Sequence, residues 1–226
     1  MQVKFQNPIE NYSHLIMFDL ATRVTGVCIW DISTQRPIYT NVIRVADNAE
    51  LPVVSLYNEL DRFFKKVEEE LHIDLAKVLI YQEAMPAQLR GGSSTVQTFI
   101  SLARSHAILD LYTSQHGLAI YDYSGVYPVS THSYLRKTMG LDNKYKIDKQ
   151  YIKDYIEIKY DLRYLSYDEA DAILLAETFI NSKWDKDIDE EMRNIRKHIK
   201  DLKDSHRIES LQKELDRLSH MQLHTK

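Results

Sequence analysis

Between His14 and Val45 the chain sets three short runs rich in β-branched and aromatic residues one after another. They are His14 to Leu20, Val24 to Ile32 and Pro37 to Val45, separated by brief turn-like stretches. Such runs suit the pleated, half-buried surface of a strand, and three in succession predict an antiparallel meander. The period then changes. From Leu51 to His72 the apolar residues Leu56, Leu60, Phe63, Phe64 and Val67 recur at helical spacing between lysines and glutamates, which predicts an amphipathic helix. Lys77 to Gln82 predicts a short buried fourth strand. A loop through Met85, Pro86, Arg90, Gly91 and Gly92 leads to Ser93 or Ser94, either of which can cap a helix reaching Gln115. Leu118 to Tyr123 predicts a fifth strand. The order β-β-β-α-β-α-β makes an α/β fold, a mixed five-stranded sheet with three antiparallel strands first, flanked by helices.

With 226 residues, 44% of them hydrophobic, the chain can bury one sizeable core and still carry an appendage. The predicted main domain is 1–183 and the appendage 184–226. Beyond Asp185, Ile188, Met192, Ile195, Ile199 and Leu202, then Ile208, Leu211, Leu215 and Leu218, alternate three- and four-residue steps, a narrow seam of the coiled-coil kind. The longer step from Leu202 to Ile208 breaks its phase, through a skip or a hairpin around Asp204 to Arg207. Ten acids and ten bases cancel across this tail. It therefore reads as a dimer-reinforcing or partner-docking segment over 185–222 rather than a nucleic-acid arm.

A net charge of -4 argues against binding polyanions through overall basicity, so nucleic-acid contact would need a local patch. One exists at 134–159, where seven Lys or Arg face four acids, a net +3. Lys144, Lys146, Lys149 and Lys153 are interleaved there with Tyr145, Tyr151 and Tyr155, although such runs are as often solvated helix faces. Cys28 is the single cysteine, which excludes an internal disulfide framework and points to a reducing, cytoplasmic setting. No apolar segment approaches the roughly 20 residues that span a bilayer.

Four acids stand at the edges of apolar runs: Asp19 in IMFDLATRVTG, Glu83 in VLIYQEAM, and Asp168 and Asp171 in YDEADAILLA. Taken singly, Asp19 could be a turn former, Glu83 a surface residue and Asp168 a helix cap. Asp171 is harder to set aside, because an acid among Ala170, Ala172, Ile173 and Leu174 needs a partner. Asp168 and Asp171, three apart, share one helix face. If the first and fourth strands are parallel neighbours, Asp19 and Glu83 lie side by side. Hard divalent cations take oxygen ligands of this kind, and a pair of them can assist attack on a phosphodiester.

In their order and setting these segments resemble the active-site motifs of RuvC-type Holliday junction resolvases. IMFDLATRVTGVCIWD is similar to the first motif, an Asp at a strand end followed by a turn into Arg23-Val24-Thr25-Gly26; VLIYQEAM is similar to the second, and DEADAILLA to the last. The resemblance spans about 14–182. It implies a ribonuclease H-like fold, a homodimer that nicks two opposed strands of a four-way DNA junction, and metal-ligand roles for Asp19, Glu83, Asp168 and Asp171. It also implies two Mg²⁺ ions per site, replaceable by Mn²⁺, and products with a 5′-phosphate and a 3′-hydroxyl. The family's supporting lysines match best at Arg136 or Lys137 and at Lys149, which would ease charge in the transition state. The DNA-binding set is then Arg90, Arg136, Lys137, Lys144, Lys146 and Lys149. Pro86 stands where the family carries an aromatic residue. Other branched DNA or an RNA-DNA hybrid remain alternative substrates, and a catalytically inactive junction-binding or assembly protein remains an alternative function. The histidines form no H-E-x-x-H or triad pattern; His132 alone lies near the basic stretch.

Overall fold

A computed structural model of the chain describes residues 9, 11–21, 23–46, 51–85, 96–121 and 125–181. The three opening runs are the strands β1 (His14–Asp19), β2 (Val24–Asp31) and β3 (Arg36–Arg44). Their connectors, 20–23 and 32–35, fall far short of the roughly dozen residues a parallel crossover needs, so the strands pair antiparallel. The following helix, α1 (Pro52–Glu69), has a proline in its first turn, where the missing amide proton costs no helical bond. It carries the chain back over the sheet, and β4 (Val78–Gln82) then enters parallel to β1, with Leu15 in step with Leu79 and Phe18 with Gln82. After α2 (Val96–Gln115) the short β5 (Ala119–Ile120) pairs parallel to β4. The sheet order is β3-β2-β1-β4-β5, the predicted mixed sheet.

Alternation sorts the strand residues onto two faces. Ile16, Phe18, Val27, Ile29, Val78 and Ile80 pack against Leu56, Leu60, Phe63, Phe64 and Val67 of α1, and Leu109 and Tyr112 of α2 complete this core. Its centre is aromatic, with Phe64 stacked on Tyr112 at 5.1 Å and Phe18 meeting Phe63 edge-on at 5.9 Å. The other face is built by Leu15, Met17, Cys28, Trp30, Leu79 and Tyr81, all buried.

On that second face Trp30 meets Tyr160 edge-on at 5.5 Å. Tyr160 ends α4 (Lys149–Tyr160), which follows α3 (Pro128–Thr138). Asp148 caps α4 by accepting from the Tyr151 amide at 2.8 Å, and Asp161, in the left-handed region at φ 54°, terminates it. Arg36 Nη2 donates to the Tyr160 carbonyl at 3.1 Å, which fixes the far end of α4 over β2 and β3. The last described helix, α5, covers 167–181. The chain divides into two compact units, Met1–Ala176 and Glu177–Lys226. The predicted coiled-coil extension lies outside the described residues. Among the described residues no helix is long and apolar enough to cross a membrane.

Candidate active site

Asp19 follows Leu15 and Met17 on the second face of β1, and Glu83 follows Leu79 and Tyr81 on the same face of β4. The antiparallel register sets Asp19 opposite Gly26. The parallel register, with Phe18 beside Gln82 and the Glu83 amide donating to the Phe18 carbonyl at 2.8 Å, brings Glu83 next to Asp19. Gly26, Asp19 and Glu83 thus form one row across three strands. On its far side Glu83 bridges to Val126, and the Ala84 amide donates to the Val126 carbonyl at 2.9 Å.

The start of α5 closes this row from above. Ser166, not Asp168, caps the helix. Its Oγ accepts from the Glu169 amide at 3.2 Å, while Glu169 Oε2 accepts from the Ser166 amide at 2.9 Å and hydroxyl at 2.8 Å. This is a capping box, and its S-x-x-E signature was legible in Ser166-Tyr167-Asp168-Glu169. Glu169 also accepts from Thr40 Oγ1 on β3 at 2.8 Å, tying the helix start to the sheet. The capping work being done elsewhere, Asp168 and Asp171 are left to face the row. The glycine in the Arg-Val-Thr-Gly turn has a steric reason: a Cβ at Gly26 would run into the Asp168 carbonyl group, 2.6 Å from its carbon.

The charges are mutually dependent. Asp171 forms an ion pair with Lys149, Nζ to Oδ2 at 3.0 Å, from the first residue of α4. Glu83 hydrogen-bonds to Asp19, and its acidity is strongly weakened, the pKa pushed up to about 9, by burial first and then by the Asp19 charge. Burial and the Asp171 charge raise Asp19 to about 6, against the Glu83 hydrogen bond and the Lys149 charge. Near neutral pH the pair therefore holds a proton, donated from Glu83 to the Asp19 carboxylate. Burial raises Asp171 as well, opposed by Lys149. For Lys149 partial burial works toward a lower pKa, but the Asp171 hydrogen bond and the surrounding carboxylates prevail and raise it. His132 on α3 feels the Asp171 charge too, although burial and the nearby Arg136 leave its pKa lowered.

Of the described basic residues named from the sequence, Lys149 alone forms an ion pair with one of the four acids. Arg136 instead braces the α3–α4 connection, its Nε donating to the Tyr145 carbonyl at 2.9 Å. Lys137, Lys144 and Lys146 are exposed. Arg90 and Pro86 lie outside the described residues.

As placed, no three His, Cys, Asp or Glu side chains among the described residues are grouped so as to hold one metal ion. The donor set nevertheless fits a hard divalent cation. It is all carboxylate oxygen, three of its members are raised in pKa by burial, and one ammonium and one retained proton offset only two of its four charges. A cation could take over both neutralising tasks.

No protein-family model matches the chain, and no curated protein matches it significantly. Solved structures do. The structure of Thermus thermophilus RuvC aligns over 75% of this chain and 95% of its own, with a TM-score of 0.51 at 11% identity. The chain has the RuvC fold. A second structure, T. thermophilus RuvC in complex with a Holliday junction substrate, aligns over the same shares at 11% identity with a TM-score of 0.48. In this chain the ribonuclease H-like RuvC fold sets Asp19 and Glu83 on neighbouring parallel strands and brings the acids of α5 over them.

Proposed function

We propose that this chain is a divalent-cation-dependent endonuclease of branched DNA, with the four-way junction as its preferred substrate. The row Asp19-Glu83 beneath Asp168 and Asp171 carries the reading, because it gathers half-buried, mutually repelling carboxylates at one end of a RuvC-fold sheet. Asp19, Glu83, Asp168 and Asp171 would hold Mg²⁺, two ions per site, with Mn²⁺ as a substitute. When bound, such ions supply an activated water and stabilise the leaving oxygen of a phosphodiester, the products here being a 5′-phosphate and a 3′-hydroxyl. Lys149, paired with Asp171 at 3.0 Å, would offset charge that develops on the phosphate. Lys137, Lys144 and Lys146, exposed beyond it, would track the backbone, with Arg90 and Arg136 as further candidates.

The junction preference rests on the ordered motifs that resemble the resolvases. Opposed nicks need two copies of the site. In support, α2 exposes Val96, Ile100 and Leu111 at 62%, 38% and 46%, an apolar seam that a second copy of this chain would cover. The tail over 185–222 would reinforce that dimer or dock another protein. A cytoplasmic setting, in a cell's own nucleoid or during viral growth, belongs to the same reading.

A second reading has its own support. Lys149 and the shared Glu83 proton already offset two of the four acid charges, as they would in a catalytically inactive junction-binding protein. One experiment separates the two. Purified chain is incubated with Mg²⁺ and with four-way junction, fork, RNA-DNA hybrid or linear duplex at fixed salt. Symmetric nicking of the junction, lost in Asp19→Asn, is expected. Tight junction binding without cleavage would move the conclusion to the second reading, and preferential cutting of fork or hybrid would change the substrate.

A further inference from the structure

Two glycines lie against backbone that carries the candidate ligands, on opposite flanks of the row. Gly26 on β2 shares the face of Asp19, so a side chain there would point at the first turn of α5. Its Cβ would meet the Asp168 carbonyl oxygen and stand 2.6 Å from the carbonyl carbon and 3.3 Å from the Asp168 Cα. Gly125, at φ 70°, precedes the Val126 that bridges to Glu83. A Cβ there would stand 2.5 Å from the Ala84 amide nitrogen and 2.7 Å from the Glu83 carbonyl carbon. In both places the obstacle is main chain, which cannot rotate aside as a side-chain tip can.

We propose that Gly26 and Gly125 are positioning residues whose missing side chains let the Asp168 and Glu83 backbones close on Asp19 from either side. The inference rests on the cation reading above and extends it from the ligands to what sets their spacing. Carbon atoms held at 2.6 Å must separate by about 1 Å to reach ordinary van der Waals contact. A displacement of that size at a catalytic group costs about 100-fold in rate. At Gly26 it acts on Asp168, and Asp19 and Glu83 keep their places on the parallel strands. Asp171 lies one turn beyond Asp168 on the same helix, so the displacement reaches it as well.

The test uses the full chain as wild type, Gly26→Ala, Gly125→Ala and, as control, Gly140→Ala. Gly140 has φ 63° and open space within 4 Å of where a methyl group would stand, so its substitution strains the backbone and presses on nothing. Mn²⁺ binding is followed by electron paramagnetic resonance, folding by circular dichroism in EDTA, and junction cleavage by kcat and KM. Wild type and Gly140→Ala are expected to bind Mn²⁺ alike. Gly26→Ala and Gly125→Ala should keep the native circular dichroism but bind Mn²⁺ about tenfold more weakly. In Gly26→Ala kcat should drop about 100-fold with KM little changed. Wild-type affinity in both variants overturns the positioning role while leaving the cation reading intact. A wild type that binds no Mn²⁺ overturns the cation reading itself. Failure of both variants to fold also overturns the inference, because the close approaches would then serve the core.

Discussion

Replacing Glu83 by glutamine should make the protein more stable in the absence of divalent cations and abolish its response to them. Glu83 keeps its proton to about pH 9, against an ordinary value of 4.5, because it is buried beside the Asp19 carboxylate. A carboxyl with a raised folded-state pKa stabilises the fold fully below its unfolded value, and that contribution is lost as pH rises through the window from 4.5 to 9. By pH 8 the unfolded chain has given up this proton and the folded chain has not. Over the span from 4.5 to pH 8 this has an upper bound of about 5 kcal/mol, which relaxation and water entry around the ionised pair cut to about 2 kcal/mol. Glutamine keeps a donor toward Asp19 and has no proton to lose. Thermal melts in EDTA should therefore place Glu83→Gln roughly 4 to 8 °C above wild type at pH 8, for a chain of this size, with the gap closing toward pH 4.5. Adding Mg²⁺ should raise the wild-type midpoint and leave the variant's unchanged. A variant less stable than wild type at pH 8 in EDTA, or a gap independent of pH, would refute the assignment of the proton to this pair.

Lys149→Met leaves Asp171 without its ammonium. Because Lys149 is 61% exposed the loss of stability should stay within about 1 kcal/mol, while junction cleavage should fall about 100-fold in a single-turnover assay. Ser166→Ala removes the hydroxyl half of the α5 capping box and should destabilise the fold by about 1 kcal/mol, read from urea midpoints at unchanged slope. Phe64→Ala empties the centre of the aromatic core and should cost about 3 to 5 kcal/mol by the same measurement. The double variant Lys144→Ala/Lys146→Ala should weaken junction binding and flatten its salt dependence by up to about two phosphate contacts, with the melting midpoint unchanged.

Much of this was legible in the chain because period and burial agree along it. Strands β1 to β4 and α1 fall within a residue or so of their predicted runs at most ends, and all five apolar positions predicted for α1 are buried. The gathering of Asp19 and Glu83 needed one fact that periodicity does not contain, namely that β4 lies parallel beside β1. Asp168 was ambiguous for a local reason. An aspartate two residues past a serine at a helix start can serve as cap or as ligand, and hydrogen-bond geometry decides it through Ser166 and Glu169. The basic residues were the least legible. Composition marks 134–159 as a patch but does not say that Arg136 spends its guanidinium on the Tyr145 carbonyl, or that Lys149 is the one that pairs with Asp171. Gly125 had no signal of its own, since its neighbour across the sheet is distant in sequence.

The edge-on contact between Trp30 and Tyr160 gives the molecule a built-in optical probe. Trp30 is fully buried on β2, and Tyr160 closes the helix whose first residue is Lys149. The indole emission is therefore sensitive to whether α4 lies against the sheet. The chain's other tryptophan is Trp184, so in a Trp184→Phe background a single fluorophore reports on that helix. A blue-shifted emission that moves when junction DNA or Mg²⁺ is added would show α4 shifting as the site is loaded. An emission that stays fixed would make α4 a rigid strut that delivers Lys149 ready-placed.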